Sequence, residues 1–323
     1  MDPRDNASAA RSCLFILVIG AALVLIACVI TLLGVAPVDI LPEPTPRAED
    51  QRGTVTPGNS LTLAVLDVGQ GAAVLVITPG GRTLLADSGR SASRVEEAIL
   101  PYLDERNIDR IDYLVATNPD QDHIGGMPAL LETIEVGAWV DPVVPSTNQA
   151  YARSLELVEE IGVTPIEARR GDELDLGEGV TVDILWPVDP LLMDGSEVSR
   201  NDNSIVLRVT YGDVSFLIPG DVQGDAERAL VELETNEELK SDVLVIPHHG
   251  SRTSSTADFL DVVDPDVAII PVGLDNQYGH PHDEVIQRLT FRDIDIYRTD
   301  LDGMVEVITD GDNYRVERRG KQQ

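Results

Sequence analysis

All five histidines of this chain fall in three short stretches: His123, His248 with His249, and His280 with His282. Each stretch follows an apolar run or sits in a loop containing Gly or Pro, the kind of place where sites are built. The first stretch, TNPDQDHIGG (117–126), puts Asp120, Asp122 and His123 directly after an apolar segment. Alternate residues of an extended loop point the same way, so Asp120 and Asp122 are expected to face one point, with His123 adding a nitrogen donor. Carboxylates with an imidazole make a donor set for a divalent cation. Gly125 and Gly126 allow a tight turn there. The plainer reading is an Asx-rich turn that caps the next helix. In LIPGDV (217–222), Asp221 ends a strand, and capping the following helix is the plainer role. VIPHHGSRTSS (245–255) ends an apolar strand with two histidines, a glycine and hydroxyls, a mixture that core packing does not explain.

The elements that would carry these loops alternate. Short β runs occur at 61–68, 73–78, 83–87, 111–117, 180–186, 204–211, 214–220, 242–247 and 267–272. Helical periodicity marks 93–106, 128–134, 150–161, 224–234, 256–263 and 283–289, and final strands follow the last of these. Strands interleaved with helices predict stacked sheets with helices outside, an α/β (α+β) class.

Upstream the chain reads differently. Residues 13–36 carry no charge, and as a helix they reach about 36 Å, enough for one transmembrane anchor. Arg4 and Arg11 precede the run, while Asp39 and Glu43 follow it. The positive-inside rule then leaves residues 1–12 in the cytoplasm and the rest outside, giving a single-pass protein of the cell membrane with an extracellular C-terminal domain. Leu25-Ile26-Ala27-Cys28 also fits a lipobox, so a lipid anchor is the second reading. Pro37, Pro42, Pro44, Pro46 and Pro57 make residues 37–60 a semi-rigid linker to a domain at 61–319.

Composition adds two constraints. Acidic residues number 56 against 24 basic ones, for a formal net charge of −32, and Lys240 and Lys321 are the only lysines. The acid is spread along the chain, which excludes a disordered acidic tail. It points to work in very high salt, where the Debye length is roughly 3 Å or less and carboxylate repulsion is screened. Cys13 and Cys28 are the only cysteines, so disulfides and cysteine-ligated metals are excluded downstream.

Six motifs in order resemble the metallo-β-lactamase domain of ComEC-related proteins, the DNA-uptake family: LDVGQG (66–71), DQDHIGG (120–126), NSIVLR (203–208), PGD (219–221), PHHGSRTSS (247–255) and YGHPH (278–282). The resemblance covers roughly Leu61 to Arg315. It implies an αββα metallo-β-lactamase sandwich, two mixed sheets with outer helices, and a metal site at one edge. In the wider superfamily an HxHxDH motif builds two adjacent metal sites. Carried over, the second site comprises Asp122, His123 and His248, with Asp221 as the bridge and His249 competing with His248. The first site departs. Asn118 and Asp120 stand for its two leading histidines, and Asn201 or Asn203 lies where the third would be. Ala72 stands where the family has an acidic residue after LDVGQG. Oxygen-rich ligation favours manganese or magnesium over zinc and binds more weakly.

The expectation is therefore one firm divalent metal, Mn2+ or Zn2+, and a second that is weak or absent. Asp120, Asp122, His123, Asp221 and His248 are the implied ligands. Asp122, Asp221 and His249 are the implied catalytic groups. Asn118, Asn203, Ser251, His280 and His282 are placed around the substrate, although a rigid surface turn is the plainer reading of His280-Pro281-His282. The implied function is a membrane-anchored extracellular metal-dependent hydrolase, a phosphodiesterase or nuclease on DNA using metal-activated water. One anchor helix cannot form a channel, so translocating DNA alone is excluded. Two alternatives stay open: a catalytically weak surface binding module of the same fold, which Asn118 and Ala72 favour, and a hydrolase of a small ester or lactam.

Overall fold

Leu61, Leu63 and Val65 alternate with Thr62 and Ala64 along one strand, and all five are buried. A strand buried on both faces needs apolar cover on both, which a sheet on one side and helices on the other supply. The computed structural model, described over residues 51–52, 59–177 and 179–320, has that layering.

The first sheet opens with β1 (Gln51–Arg52), β2 (Leu61–Val65), β3 (Val74–Ile77), β4 (Thr83–Ala86), β5 (Arg110–Val115), β6 (Glu135–Asp141) and β7 (Thr164–Glu167). The second contains β8 (Glu173–Asp175), β9 (Val180–Trp186), β12 (Val206–Tyr211), β13 (Val214–Ile218), β14 (Val243–Val245), β15 (Val267–Ile270) and β16 (Asp295–Arg298). A small hairpin, β10 (Met193–Asp194) and β11 (Glu197–Val198), lies between β9 and β12 in the chain. Strands β17 (Met304–Thr309) and β18 (Tyr314–Arg319) return to the first sheet, whose order is β1-β18-β17-β2-β3-β4-β5-β6-β7. The second sheet runs β16-β15-β14-β13-β12-β9-β8. Both are mixed: β4 to β7 and β13 to β16 are parallel, and the other neighbours antiparallel.

Leu63, Val76, Leu84, Leu207, Phe216 and Ile269 belong to the layer between the sheets. Leu75, Leu85, Leu114 and Trp139 pack outward under the first group of helices, at 92–105, Met127–Thr133 and Gln149–Ile161. Leu217, Leu244, Ile246 and Ile270 do the same on the other side, under helices α5 (Gly224–Leu233), α7 (Ala257–Val263) and α8 (Asp283–Phe291). Counting helices along the chain, α1 is residues 92–105, α2 Gln121–Ile124, α3 Met127–Thr133, α4 Gln149–Ile161 and α6 Asn236–Leu239.

Two local expectations change. Residues 117–126 are not an extended loop throughout, because Gln121–Ile124 wind into α2 with Asp120 at its N-cap position. The backbone N–H groups of His123 and Ile124 donate to the Asp120 carbonyl, so Asp120 and Asp122 do not share a direction by strand alternation. Strands β6, β7 and β8 and the hairpin β10–β11 are additional to the runs read from the sequence. Gly137 interrupts the pattern of β6, and β7 is an edge strand with Pro165 and mostly exposed side chains. The anchor expected at 13–36, the cytoplasmic segment 1–12 and most of the linker 37–60 lie outside the described residues. Among the described residues, no helix is long and apolar enough to cross a membrane.

Candidate metal centre

Parallel strands leave their C-terminal ends along one edge of each sheet, and the chemistry-bearing loops begin there. Asp87 follows β4, Asn118 to His123 follow β5, and Asp221 follows β13. His248 and His249 follow β14, and the loop with His280 and His282 follows β15. Asp122, His123 and His249 bring one donor atom each within 4.8 Å of one another.

The two imidazoles are held in defined tautomers. His123 is fully buried, and its Nδ1 lies 2.7 Å from Asp87 Oδ2. A carboxylate only accepts, so this nitrogen carries the hydrogen. Asp87 also accepts from Thr117, at Oδ1 from the backbone N–H (2.9 Å) and at Oδ2 from the hydroxyl (2.7 Å). His249 Nδ1 donates to the Pro271 carbonyl at 2.7 Å. In the neutral rings, both Nε2 lone pairs therefore point inward, the arrangement that outer partners impose on metal-binding histidines.

Those inward atoms lack partners. His123 Nε2, His249 Nε2 and Asp221 Oδ1 are buried without a hydrogen bond. His123 Nε2 is 3.0 Å from Asp221 Oδ2, and with the ring hydrogen on Nδ1 neither atom has a hydrogen to share. His249 Nε2 is 3.5 Å from Asp122 Oδ2 and 3.8 Å from Asp221 Oδ1. Acceptors gathered without hydrogens between them repel, and leaving such groups buried and unpaired costs about 1–3 kcal/mol each. A divalent cation removes that conflict, so the residues present fit one. Without it a proton does part of the work. Burial disfavours the His123 imidazolium, but Asp221 and Asp87 outweigh it and raise the group well above its ordinary value. Burial likewise works against the Asp122 carboxylate, yet His249 and His123 hold it down at about 2. Asp221 is buried too and is driven far below the usual carboxylate range by His123 and His249.

The backbone is bent to make this possible. Asp87, His248 and His249 have φ of 65°, 50° and 55°, a region costing L-residues of order 1–3 kcal/mol each. The His248 N–H donates to the Gly220 carbonyl (3.2 Å), and the Ser251 N–H to the His248 carbonyl (2.9 Å). Gly71, in LDVGQG, has φ of 146°, and a β-carbon there would sit 2.4 Å from the Asp122 carbonyl oxygen. Beside it, the Ala72 N–H donates to that same carbonyl and the Ser88 N–H to the His123 carbonyl.

The remaining predicted residues divide. His248 stands apart from the three-residue group, mostly buried, with Nε2 3.9 Å from Asp221 Oδ2. His280 lies next to it, ring centroids 5.7 Å apart, and 4.9 Å from His282. Burial, then His249 and His248, hold His280 down at about 4. His282 Nδ1 accepts from the Arg252 N–H. Ser251 Oγ is bonded to Thr253 Oγ1. Asn118 is buried, accepting from the Asp120 N–H and donating to Ser204 Oγ. Asn203 spends its amide on Leu192 and Ser199. Asp120 forms an ion pair with Arg200, Oδ1 to Nε 2.7 Å. Burial raises Asp120 against the pull of that arginine.

Sequence reasoning passed over Asp87 and Arg200. The signal for Asp87 is an aspartate ending the apolar run TLLAD; Arg200 has no local signal at all.

A family model described as the Metallo-beta-lactamase superfamily matches residues 66–273. The chain is 31% identical over 257 residues to ComE operon protein 3 of Bacillus subtilis, covering 75% of this chain and 32% of the relative. Against competence protein ComA of Neisseria gonorrhoeae it is 33% identical, covering 79% and 33%. Against recombination protein 2 of Haemophilus influenzae it is 32% identical, covering 75% and 28%. The chain thus spans about a third of the length of the curated relatives it matches. With the two-sheet sandwich and the donor cluster at its edge, these matches show that the chain belongs to the metallo-β-lactamase superfamily of metal-dependent hydrolases, as a ComEC-like domain.

Proposed function

We propose that this chain is a membrane-anchored, extracellular phosphodiesterase that acts on DNA around one divalent cation. The observation that carries it is the meeting of three buried, unpartnered donor atoms: His123 Nε2, His249 Nε2 and Asp221 Oδ1. Relatives named for competence and recombination support DNA as the substrate. Asp122, His123 and His249 would hold the cation, with Asp221 beside it. When bound, the cation supplies Lewis acidity toward a phosphoryl oxygen and makes water more acidic. Asp87 and the Pro271 carbonyl keep the two rings turned inward. Asp221 or Asp122 accepts the proton of the attacking water as its oxygen bonds to phosphorus. The phosphorus–oxygen bond to the leaving group then breaks, and the leaving oxygen takes a proton from solvent. His248 and His280, both partly exposed and with ring centroids 5.7 Å apart, would supply hydrogen bonds to that oxygen.

The test is metal analysis and cleavage assays on the full chain with Mn2+, using single- and double-stranded DNA in low and high salt. Metal-dependent cleavage is expected, and replacing Asp122 and His123 together by alanine should abolish both metal uptake and cleavage. Unchanged turnover in that variant would remove this site. A second reading, a DNA-binding module that cuts weakly or not at all, is favoured by the amides of Asn118 and Asn203, both committed to structural hydrogen bonds. Metal uptake and DNA binding without cleavage would select it. For the anchor at 13–36, external protease on intact cells should remove the 61–319 domain.

A further inference from the structure

We propose that Arg200 is a built-in cation that takes the place of a second metal ion beside the centre, so that this domain pairs one divalent ion with one guanidinium. The inference rests on the single-cation reading above.

The positions that would surround a second ion are spoken for. Asn118 is fully buried, and its amide is used at both ends, by the Asp120 N–H and by Ser204 Oγ. Asn203 is fully buried with its oxygen on the Leu192 N–H and its nitrogen on the Leu192 and Ser199 carbonyls. Asp120 keeps its carboxylate beside these amides, and it interacts electrostatically with His123, Asp122 and Asp221. That carboxylate meets Arg200 at 2.7 Å, its one ionic partner among the described residues.

The arginine is delivered by a rigid turn. Ser199 Oγ donates to Asp202 Oδ2, and Asp202 Oδ1 accepts the N–H of Gln223, two residues after Asp221. The Asp202 carbonyl accepts from Trp186 Nε1 at 2.6 Å, and the Asn203 amide clamps the chain at Leu192, just before the hairpin. Arg200 precedes the 3-10 turn Asn201–Asn203, so its position is set by the same bonds. Its side chain remains half-exposed, leaving guanidinium edge for a ligand.

Charge gives the reason. Asp87, Asp120, Asp122 and Asp221 crowd one site, and a single divalent ion leaves them in excess. A phosphodiester adds another negative charge. A fixed guanidinium offsets part of that charge and presents N–H groups in a plane suited to two phosphoryl oxygens. It moves no proton. It bonds a non-bridging oxygen while the water oxygen adds to phosphorus and the bond to the leaving oxygen breaks.

Calorimetric Mn2+ titration of the full chain tests this without reference to turnover. Wild type should show one binding event per chain. Arg200→Ala should show a second, weaker event, because Asp120 is released to a metal ion. Arg200→Lys should keep one event, which separates loss of charge from loss of fold. Two events in wild type, or a single event in Arg200→Ala with unchanged circular dichroism, would overturn the proposal. On a phosphodiester substrate, Arg200→Ala should lose roughly a hundredfold in kcat/KM, the scale for one charge-stabilising donor. Added guanidinium chloride should restore part of it. Unchanged kcat/KM would also overturn the proposal. If wild type cleaves no phosphodiester, the hydrolase reading fails, and the binding counts still decide the place of Arg200.

Discussion

At the scale of single residues, the centre is made by partners outside the donor set. Asp87 fixes the His123 ring by accepting its Nδ1–H, and Thr117 fixes Asp87. Asp87→Asn should keep the fold and weaken Mn2+ binding by about 10–100-fold, read by calorimetry. Equal affinity would mean the ring is held by packing alone. Protonation gives a second expectation for the metal-free protein. His123 is raised above its ordinary value of 6.5, so its stabilising contribution is complete below pH 6.5 and is lost as pH rises through the folded value. Asp122 lies below its ordinary 3.8, so its contribution is present above pH 3.8 and is lost as pH falls toward about 2. Thermal unfolding in chelator should therefore peak between about pH 4 and 6.5. A melting temperature that climbs steadily from pH 6 to 9 would contradict the His123–Asp221 and His123–Asp87 couplings.

At the scale of elements, loops are held by groups on helices and strands that touch no ligand. Glu227 on α5 is fully buried, and its carboxylate accepts the backbone N–H groups of Ser255 (2.5 Å) and Thr256 (2.8 Å). Thr256 is the N-cap of α7 and makes no side-chain cap bond, so Glu227 acts as the cap from another helix. Glu227→Ala leaves one buried and one half-buried donor unpaired and should cost about 2–3 kcal/mol in denaturant unfolding. Gly250 lies between His249 and Ser251 with φ of 79°, and a β-carbon there would sit 2.6 Å from that of Pro281. Gly250→Ala should lower both the melting temperature and metal affinity, because relief of the clash moves His249. The DQDHIGG, PGD and HHG stretches are legible in the sequence because several chemically costly residues sit close together in each. Their exact directions are not. Winding of α2 turns Asp120 toward Arg200 and Asp122 toward His249, and left-handed backbone at both His248 and His249 puts the second ring, not the first, into the three-residue group.

At the scale of the whole molecule, the acid surplus of the chain should make stability depend on salt. We expect the melting temperature to rise from dilute buffer into multi-molar KCl as carboxylate repulsion is screened. A flat or falling curve would end the high-salt reading. What the sequence by itself determined is the layer order and the loops that carry chemistry. Alternating apolar runs such as Leu61–Val65 set which faces are buried, and this is a local property of period and side-chain type. Tertiary structure alone decided which donors meet. Asp87, His123, Asp221 and His249 come from four strand ends, and their convergence depends on parallel strand order within two sheets and on how those sheets face each other. The pairing of Arg200 with Asp120 is of the same kind. Eighty positions apart, the two charges meet only because the turn after the hairpin folds back over the end of β5, a distance relation that no local pattern encodes.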